Sequence, residues 1–298
     1  MHGTAADNLK GIVAMLIATA AFTVMDASMK ALSLHYPPLQ VTALRGFASL
    51  PFILSIVVFG NRWHELKPKR WSLHLLRGLL AVAMLALFIY GVRTLSLAGA
   101  YAVFLCGPLL VTALSVPLLG ETVGMRRWLA ICVGLTGVLA MLRPSAIDFV
   151  SVSAAAVFIA AVCYALGAIL IRFAAATEST VSLSVSFLLV ISLVSGAVAA
   201  SSWSPVQPRH YAWIALLGVT GATGQYCIVE AFRRAPASVV APFDYAQFVW
   251  GAMVDWLVWR TLPTERVLIG GGIVIATGLF LMHRERAVRR SIQPPSIQ

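Results

Sequence analysis

The sequence predicts an all-α membrane protein with ten transmembrane helices arranged as two inverted five-helix repeats. Of its residues, 60% are hydrophobic and only 11% are charged, and the mean hydropathy is +0.88. A soluble domain carries about 25% charged residues, so most of this protein's surface must face lipid. Long, continuously apolar runs recur along the chain, as membrane-spanning helices of about 20 residues require. The strands of a membrane barrel would instead alternate in polarity over about ten residues.

Short connections with Gly, Pro or charged residues separate these runs. The predicted spans cover 11–33, 39–59, 72–92, 98–119, 125–142, 151–172, 182–200, 211–232, 238–259 and 266–283.

Lys10, followed by the first apolar run, predicts a signal anchor that stays in the protein. The cysteines lie inside apolar runs without CxxC spacing, which predicts a packing role; they are Cys106, Cys132, Cys163 and Cys227.

Lysine and arginine are distributed unevenly between the two sets of connections. With a cytoplasmic N-terminus, the inner segments hold 14 of the 22 Lys and Arg residues and the outer segments hold 6. Because positive residues favour the cytoplasmic side, this bias predicts an inner-membrane protein with both termini in the cytoplasm. The net charge is +11, from 22 Lys and Arg residues against 11 Asp and Glu residues, and the charges lie mainly between the apolar runs. No basic patch interleaved with aromatics indicates a nucleic-acid partner.

The two halves of the chain resemble each other at an offset of about 140 residues. Ala20-Ala21-Phe22 corresponds to Val162-Cys163-Tyr164, and Ala98-Gly99-Ala100 corresponds to Ala237-Ser238-Val239. We therefore divide the chain into a first repeat, 1–145, and a second repeat, 146–298, with a cytoplasmic C-terminal tail. Five spans per half give the copies opposite orientations. Inverted repeats are typical of secondary transporters, which work by alternating access.

Several short motifs resemble those of the drug/metabolite transporter superfamily, in particular its ten-span EamA-type permeases. In the first half these are Asp26-Ala27-Ser28-Met29-Lys30, Pro37-Pro38, Arg45, Leu76-Arg77-Gly78, Ala98-Gly99-Ala100, Gly107-Pro108-Leu109, Leu119-Gly120-Glu121-Thr122 and Gly134-Leu135-Thr136-Gly137. In the second half Ala235-Pro236-Ala237-Ser238 fits, but Trp259-Arg260-Thr261 stands where the family often has Gly-Glu. The resemblance covers about 270 residues and implies a carrier of small organic solutes. It is closest to amino-acid exporters, with S-adenosylmethionine carriers as the alternative.

Charged residues inside predicted spans are candidates for function, because a charge near the centre of a membrane helix costs about 2.5–3.5 kcal/mol. We assign a role in intramembrane charge or gating to Asp26, Lys30, Arg45 and Glu230. Helical periodicity places Thr19, Thr23, Asp26 and Lys30 on one face of the first helix. Asp26 and Arg45 lie at similar depth, and they are predicted to form either a charged pair at the outer end of a substrate cavity or a structural ion pair between two helices.

Polar and aromatic residues near mid-membrane predict a solute pocket between the two halves. The candidate lining residues are Tyr101, Phe104, Tyr226, Asp244, Tyr245, Gln247 and Trp250. In the ninth span, ideal geometry places Asp244, Phe248, Gly251 and Asp255 on one stripe. Tyr245 and Trp250 flank this stripe on opposite sides, so at most one of them is expected on the same wall. Packing remains the alternative role for each aromatic residue.

These features favour a secondary transporter that exports amino acids, including aromatic ones. The alternatives are uptake of a metabolite such as S-adenosylmethionine, a channel, a structural membrane subunit and, more remotely, an intramembrane enzyme. All six histidines fall in loops or near helix ends, and neither HExxH nor GxSxG occurs, so neither catalysis nor a metal is expected. No cofactor is expected. The expected partners are the solute, the bilayer and, in a homodimer, a second copy.

Overall fold

A computed structural model describes residues 5–61, 63–119, 152–174, 178–234 and 241–292, with a few positions between 125 and 136. The regular secondary structure of these residues is helical, with no strand among them, which confirms the predicted fold class. The α-helices are α1 (Ala5–Ser33), α2 (Pro38–Phe59), α3 (Trp71–Val92), α4 (Leu97–Phe104), α5 (Gly107–Leu119), α6 (Val152–Ala174), α7 (Thr180–Ala199), α8 (Tyr211–Arg234), α9 (Ala246–Val254) and α10 (Glu265–Ile292).

Six segments among the described residues are long and apolar enough to cross a membrane. They are Leu9–Ser33, Pro38–Phe59, Trp71–Val92, Leu97–Leu118, Val152–Leu170 and Val181–Ser202. Helices also occupy the predicted eighth, ninth and tenth spans. The predicted fifth span, 125–142, lies almost wholly outside the described residues. The count of ten spans therefore stays a prediction.

The fourth and ninth predicted spans are each broken into shorter segments. The fourth divides into α4 and α5, with residues 105–106 between them. Pro108 explains this break, because a proline has no N–H to donate to the carbonyl of residue 104. The ninth consists of a 3-10 segment (Ala241–Tyr245), α9 and a π-helix (Asp255–Trp259). Pro242 lies in its 3-10 segment.

Loop contacts define two opposite faces of the molecule. On the Tyr36 face, formed by the connections at 34–37, 93–96 and 203–210, the Tyr36 hydroxyl lies 2.7 Å from His210 Nδ1 and the Gln40 amide donates to the Ser204 carbonyl at 2.6 Å. On the Glu178 face, formed by 60–70 and 178–179, the Glu178 carboxylate accepts from the Lys69 and Arg70 N–H groups at 2.9 and 2.7 Å. Each face therefore carries hydrogen bonds between the two halves.

The Glu178 carboxylate lies at the Glu178 face with only 1% of its side chain exposed. Burial alone would raise its pKa, but the Arg70 N–H, the His74 ring and the Lys69 N–H together hold the pKa of this carboxyl below its usual value. The His74 ring in turn lies 3.2 Å from Glu178 through Nε2 and 2.5 Å from the Ser186 hydroxyl through Nδ1. This network ties α3 to α7 at the membrane boundary.

Helices at corresponding positions in the two halves run in opposite directions. α1 ends at the Tyr36 face, whereas α6 begins there, with the Thr94 hydroxyl donating to Ser153 at 2.6 Å. α2 leaves the Tyr36 face and α7 returns to it, as their contacts at Gln40 and Glu178 show. The described part of the chain therefore has the inverted repeat that the sequence predicts.

Helix packing follows the same correspondence between the halves, because a contact between two helices recurs between their counterparts. α1 packs against α8, and its counterpart α6 packs against α3. α2 contacts α8, and its counterpart α7 contacts α3. α2 and α7 are each other's counterparts in the repeat, and they also pack together as a pair. Each half thus completes the core of the other.

A glycine stripe brings α8 close to α1 and α2. A Cβ at Gly218 would stand 2.5 Å from the Ala48 carbonyl oxygen, and one at Gly221 would stand 2.8 Å from the Ser49 hydroxyl. One at Gly224 would stand 2.7 Å from the Phe22 ring. The stripe therefore permits the close helix contact that small residues at this spacing predict.

The two faces predict the result of a topology experiment. We expect reporter fusions at Arg70 and at the C-terminus to lie on one side of the membrane and a fusion at Ser204 on the other. The charge bias further predicts that Arg70 and the C-terminus are cytoplasmic. Activity of cytoplasmic and periplasmic reporters would measure both. The same sidedness for Arg70 and Ser204 would contradict the two faces, whereas a full reversal would contradict only the predicted orientation.

The glycine stripe predicts a position-dependent effect on stability. Gly218→Ala should destabilise the protein by about 1–3 kcal/mol, because the new methyl group would meet backbone that cannot move easily. Gly272→Ala is the matched control, since a Cβ at this position would have no atom of another element within 4 Å. Thermal unfolding of the purified protein in detergent would compare them. Equal melting temperatures would show that α8 does not pack on α2 as described.

Candidate functional site

A central cavity of about 160 Å³ lies between the two halves of the protein. Its walls come from α1 to α4, with Leu105, in the first half and from α6, α8 and the ninth span in the second. The lining residues are Phe22, Met25, Asp26, Arg45, Met84, Leu85, Phe88, Tyr101, Phe104, Leu105, Tyr164, Ile228, Asp244 and Gln247. The cavity is therefore mostly apolar and aromatic, with two carboxyl groups and one guanidinium group in its wall.

Both helix breaks lie in the cavity wall. Leu105 belongs to the break in the fourth span, and Asp244 belongs to the 3-10 segment of the ninth. The helices that follow begin at Gly107 and Ala246, which are 139 residues apart, the same offset that relates Ala98 to Ala237. The breaks are thus equivalent positions of the repeat. Irregular backbone at membrane depth is tolerated where it is buried or lines a cavity, and in inverted-repeat carriers such breaks form the solute site.

The Asp26 carboxyl group is held by Tyr101 across the cavity. The Tyr101 hydroxyl donates to Asp26 Oδ2 at 2.6 Å. The tyrosine ring stacks on Phe88 with centroids 6.0 Å apart, and a Cβ at Gly251 would lie 2.6 Å from it. Gly251 therefore provides the space that lets Tyr101 reach from α4 to α1.

Arg45 lies in the same cavity wall but is not directly paired with Asp26. Its exposed fraction is 8%, and its guanidinium carbon lies 6.0 Å from the Phe187 ring centroid. Among the described residues, no ion pair within 4 Å joins Arg45 to Asp26. In place of the predicted direct contact, Asp26 accepts a hydrogen bond from Tyr101, which lies on a third helix and could not be found from the spacing on α1 and α2. Both charges therefore face the cavity.

Asp244 and Gln247 form the polar wall of the second half. The Gln247 amide donates to Asp244 Oδ1 at 3.0 Å, and both residues line the cavity. Of the residues predicted on one stripe with Asp244, Gly251 and Asp255 both meet α4 at Ala98 and Phe248 meets α10 at Gly271, whereas Asp244 lines the cavity. The prediction assumed 100° per residue, whereas this span changes from 3-10 to α to π geometry along its length.

The remaining predicted residues lie in different surroundings. Tyr245 is buried in the apolar core, and the described residues offer no hydrogen-bond partner to its hydroxyl. Trp250 donates through Nε1 to Thr19 on α1 at 3.2 Å. Tyr226 is 51% exposed on α8. The Glu230 side chain lies outside the described part of the structure. A role for these four residues in binding or gating stays a prediction.

Phe22 and Tyr164 are cavity residues that the sequence patterns did not single out as site residues. They occupy corresponding positions of α1 and α6 when the two repeats are aligned. The alignment of the repeats could therefore have identified them as site residues. The Tyr164 ring lies 5.4 Å from that of Phe104, and a Cβ at Gly107 would stand 2.8 Å from it. The cavity thus has an aromatic ring from the same place in each half.

Lys30, predicted as an intramembrane charge, lies beyond the cavity toward the Tyr36 face. Its ammonium group is 3.3 Å from Asp255 Oδ1 and 2.9 Å from the Leu95 carbonyl oxygen. Thr19 and Thr23 are fully buried and Asp26 is nearly so, which confirms that this face of α1 points into the protein.

A cavity between inverted repeats, with broken helices in its wall, is typical of multi-pass membrane transporters of small solutes. The chain belongs to the EamA-like transporter family, whose profile matches residues 9–143 and again 152–283. This result confirms the resemblance found in the sequence, and the duplicated match fits the two repeats.

Relatives of known name are also transporters. The chain is 27% identical over 278 residues to an S-adenosylmethionine uptake transporter of Rickettsia prowazekii (strain Madrid E), covering 93% of this chain and 94% of that protein. It is 28% identical over 282 residues to a riboflavin transporter of Vibrio cholerae, with the same coverage. A protein of known crystal structure shares the fold, with a TM-score of 0.65 and 18% identity over 94% of this chain and 99% of that one.

The bond between Tyr101 and Asp26 predicts a measurable loss of stability. Tyr101→Phe should destabilise the protein by about 1–3 kcal/mol, because it leaves the buried carboxyl group without its donor. Tyr90→Phe is the matched control, since Tyr90 is 44% exposed on α3. Thermal unfolding of both variants would measure the difference. An equal effect of the two substitutions would argue against the bond.

Proposed function

We propose that this carrier moves solutes that combine an α-amino-acid group with a planar ring, and that the central cavity binds them during alternating access. The observation that carries this proposal is the composition of the cavity wall. It presents the carboxyl groups of Asp26 and Asp244, the guanidinium group of Arg45 and several aromatic rings. This set complements an ammonium group, a carboxylate and a flat ring.

Each part of the solute has a chemically suitable partner. Arg45 is the group for the carboxylate, because a guanidinium binds a carboxylate through two parallel hydrogen bonds and remains charged when buried. Asp244 suits the ammonium group, since its described hydrogen bond comes only from Gln247, within its own turn. Phe22 and Tyr164 supply ring faces from opposite halves, which favour planar and cationic groups by about 0.5–2 kcal/mol.

Two solutes of this class are supported by different observations. The names of the Rickettsia relatives favour uptake of S-adenosylmethionine, which carries an amino-acid group, a sulfonium and an adenine ring. The size of the cavity favours an aromatic amino acid, because an apolar cavity of about 150 Å³ holds a single benzene ring. S-adenosylmethionine would require the cavity to widen. Export of amino acids, as the sequence suggests, remains the second candidate.

The remaining parts of the proposal concern energy and location. A gradient of the solute or of a coupled ion drives transport, and the protein is a carrier rather than an enzyme or a channel. It lies in the inner membrane as a monomer or homodimer with both termini in the cytoplasm, without a cofactor or nucleic-acid partner. Turnover per protein in sealed vesicles would separate a carrier from a channel.

Counterflow in proteoliposomes tests the substrate class. We expect exchange of labelled S-adenosylmethionine or phenylalanine, and weak exchange of riboflavin, whose ring system carries no amino-acid group. Arg45→Gln should raise the apparent KM roughly tenfold or more through loss of a charge-assisted bond, and Arg45→Lys should recover part of it.

Glu265→Gln is the matched control for loss of a charged side chain outside the cavity, and it should transport like the parent protein. Exchange of riboflavin alone, unaffected by Arg45→Gln, would contradict the proposed substrate class. No exchange of any of the three solutes would leave the transporter class intact and exclude these particular substrates.

A further inference from the structure

A cluster of polar and aromatic groups separates the central cavity from the Tyr36 face. We call it the Lys30 cluster; it consists of Lys30, Leu95, Ala98, Asp255 and Trp259. Lys30 lies one helical turn beyond Asp26, toward the Tyr36 face. Its ammonium group contacts Asp255 Oδ1 at 3.3 Å and the Leu95 carbonyl oxygen at 2.9 Å, and it stands 4.4 Å from the centroid of the Trp259 ring.

Asp255 also binds the start of α4, at a shorter distance than its contact with Lys30. Its exposed fraction is 0%, and its second oxygen, Oδ2, accepts from the Ala98 N–H at 2.9 Å. Ala98 lies in the first turn of α4, where unpaired N–H groups and the helix dipole favour a negative charge. The start of α4 and the end of the ninth span therefore form one unit.

The ninth span ends in irregular geometry at this cluster. Residues Asp255–Trp259 form a π-helix, and Arg260 then takes the left-handed conformation with φ 54°. The Asp255 carbonyl accepts from the Thr261 N–H at 3.3 Å. π-helical turns are rare and occur often at functional sites. Here the turn places Asp255 and Trp259 together around the Lys30 ammonium group.

A second cation joins the same two parts of the protein. Arg93, at the end of α3, donates to the Ser33 carbonyl at 2.6 Å and to the Tyr36 carbonyl at 3.0 Å. Lys30 thus reaches from α1 to the connection between α3 and α4, and Arg93 reaches from that connection back to the end of α1. Both ties lie on the Tyr36 side of Asp26 and Tyr101.

We propose that the Lys30–Asp255 pair is the gate that closes the cavity toward the Tyr36 face. Opening separates α1 from the unit formed by α4 and the ninth span. The contacts of Lys30 and Arg93 break, whereas the bond from Ala98 to Asp255 stays. Lys30 is the component suited to release, because its ammonium group sits on a flexible chain and its side chain is already 12% exposed. The closed state is favoured by attraction between charges in surroundings of low dielectric constant.

The loop contacts at Tyr36–His210 and at Glu178 do not provide an alternative gate. Both sets are formed at once in this structure, one on each face, and they join corresponding parts of the repeat. A pair of gates in an alternating-access carrier would open in turn. The Lys30 cluster instead joins α1 to α4 and the ninth span, the elements that carry Asp26, Tyr101 and Asp244.

Cysteine labelling tests this gate without any substrate. The reporter is Leu105→Cys in a chain whose native cysteines at 106, 132, 163 and 227 are replaced by alanine. A membrane-impermeant thiol reagent is applied from each side of native membrane vesicles. We expect Asp255→Asn and Lys30→Met to raise the labelling rate from the Tyr36 face at least about tenfold and to lower it from the Glu178 face. Lys30→Arg, which keeps the charge, should label like the parent.

Equal labelling of parent and variants from the Tyr36 face would overturn the proposal, and so would an equal rise from both faces, which indicates general loosening. If these variants do not fold, a second measurement tests the gate. In Lys30→Cys/Asp255→Cys, a short bifunctional thiol reagent should stop labelling of the reporter from the Tyr36 face, and dithiothreitol should restore it. Unchanged labelling after cross-linking would overturn the proposal.

The gate rests on the proposed function only in taking the central cavity as the transport path. Labelling needs no solute. If the counterflow experiment fails with the chosen solutes, the labelling result can therefore still be interpreted. Conversely, exchange of S-adenosylmethionine with unchanged labelling would support the proposed function and reject this gate.

Discussion

The structure depends on one constraint, which is that lipid offers no hydrogen bonds to the peptide backbone. Each N–H or C=O left unpaired in the hydrocarbon region costs several kcal/mol, so the chain crosses it as helices. Among the described residues, two departures from α-helix, at 105–106 and 241–245, lie in the wall of the central cavity. The constraint therefore localises the site, because irregular backbone is tolerated where protein or a cavity surrounds it.

Duplication produces a symmetric scaffold with asymmetric chemistry. The two breaks correspond in the repeat, yet Leu105 stands in one and Asp244 in the other. Phe22 and Tyr164 also correspond and differ only by a hydroxyl group. Close helix packing needs similar small residues in both halves, whereas a solute with distinct ends needs different groups at its two ends. Substitution at equivalent cavity positions satisfies both requirements.

The sequence predicts the helices, the polar face of α1 and the glycine stripe of α8, because each follows from regular periodicity within one helix. It does not predict contacts that depend on irregular geometry or on three helices at once. Tyr101 reaches Asp26 because Gly251 makes room, and Asp255 meets Lys30 at a π-helix. Tyr226 illustrates a further difficulty, since lipid and cavity both accept an aromatic ring and periodicity cannot distinguish them.

The interleaved packing of the halves has a consequence for biosynthesis. α1 and α2 pack against α8, and the Tyr36 loop is completed by His210, 174 positions later in the chain. At about 5–20 residues per second, α1 waits roughly 10–40 s in the bilayer before its partner is made. During that time Asp26 and Arg45 have none of their second-half neighbours. Insertion factors or neighbouring lipids must therefore accommodate the charged residues of the first half before the second half has completed the cavity around them.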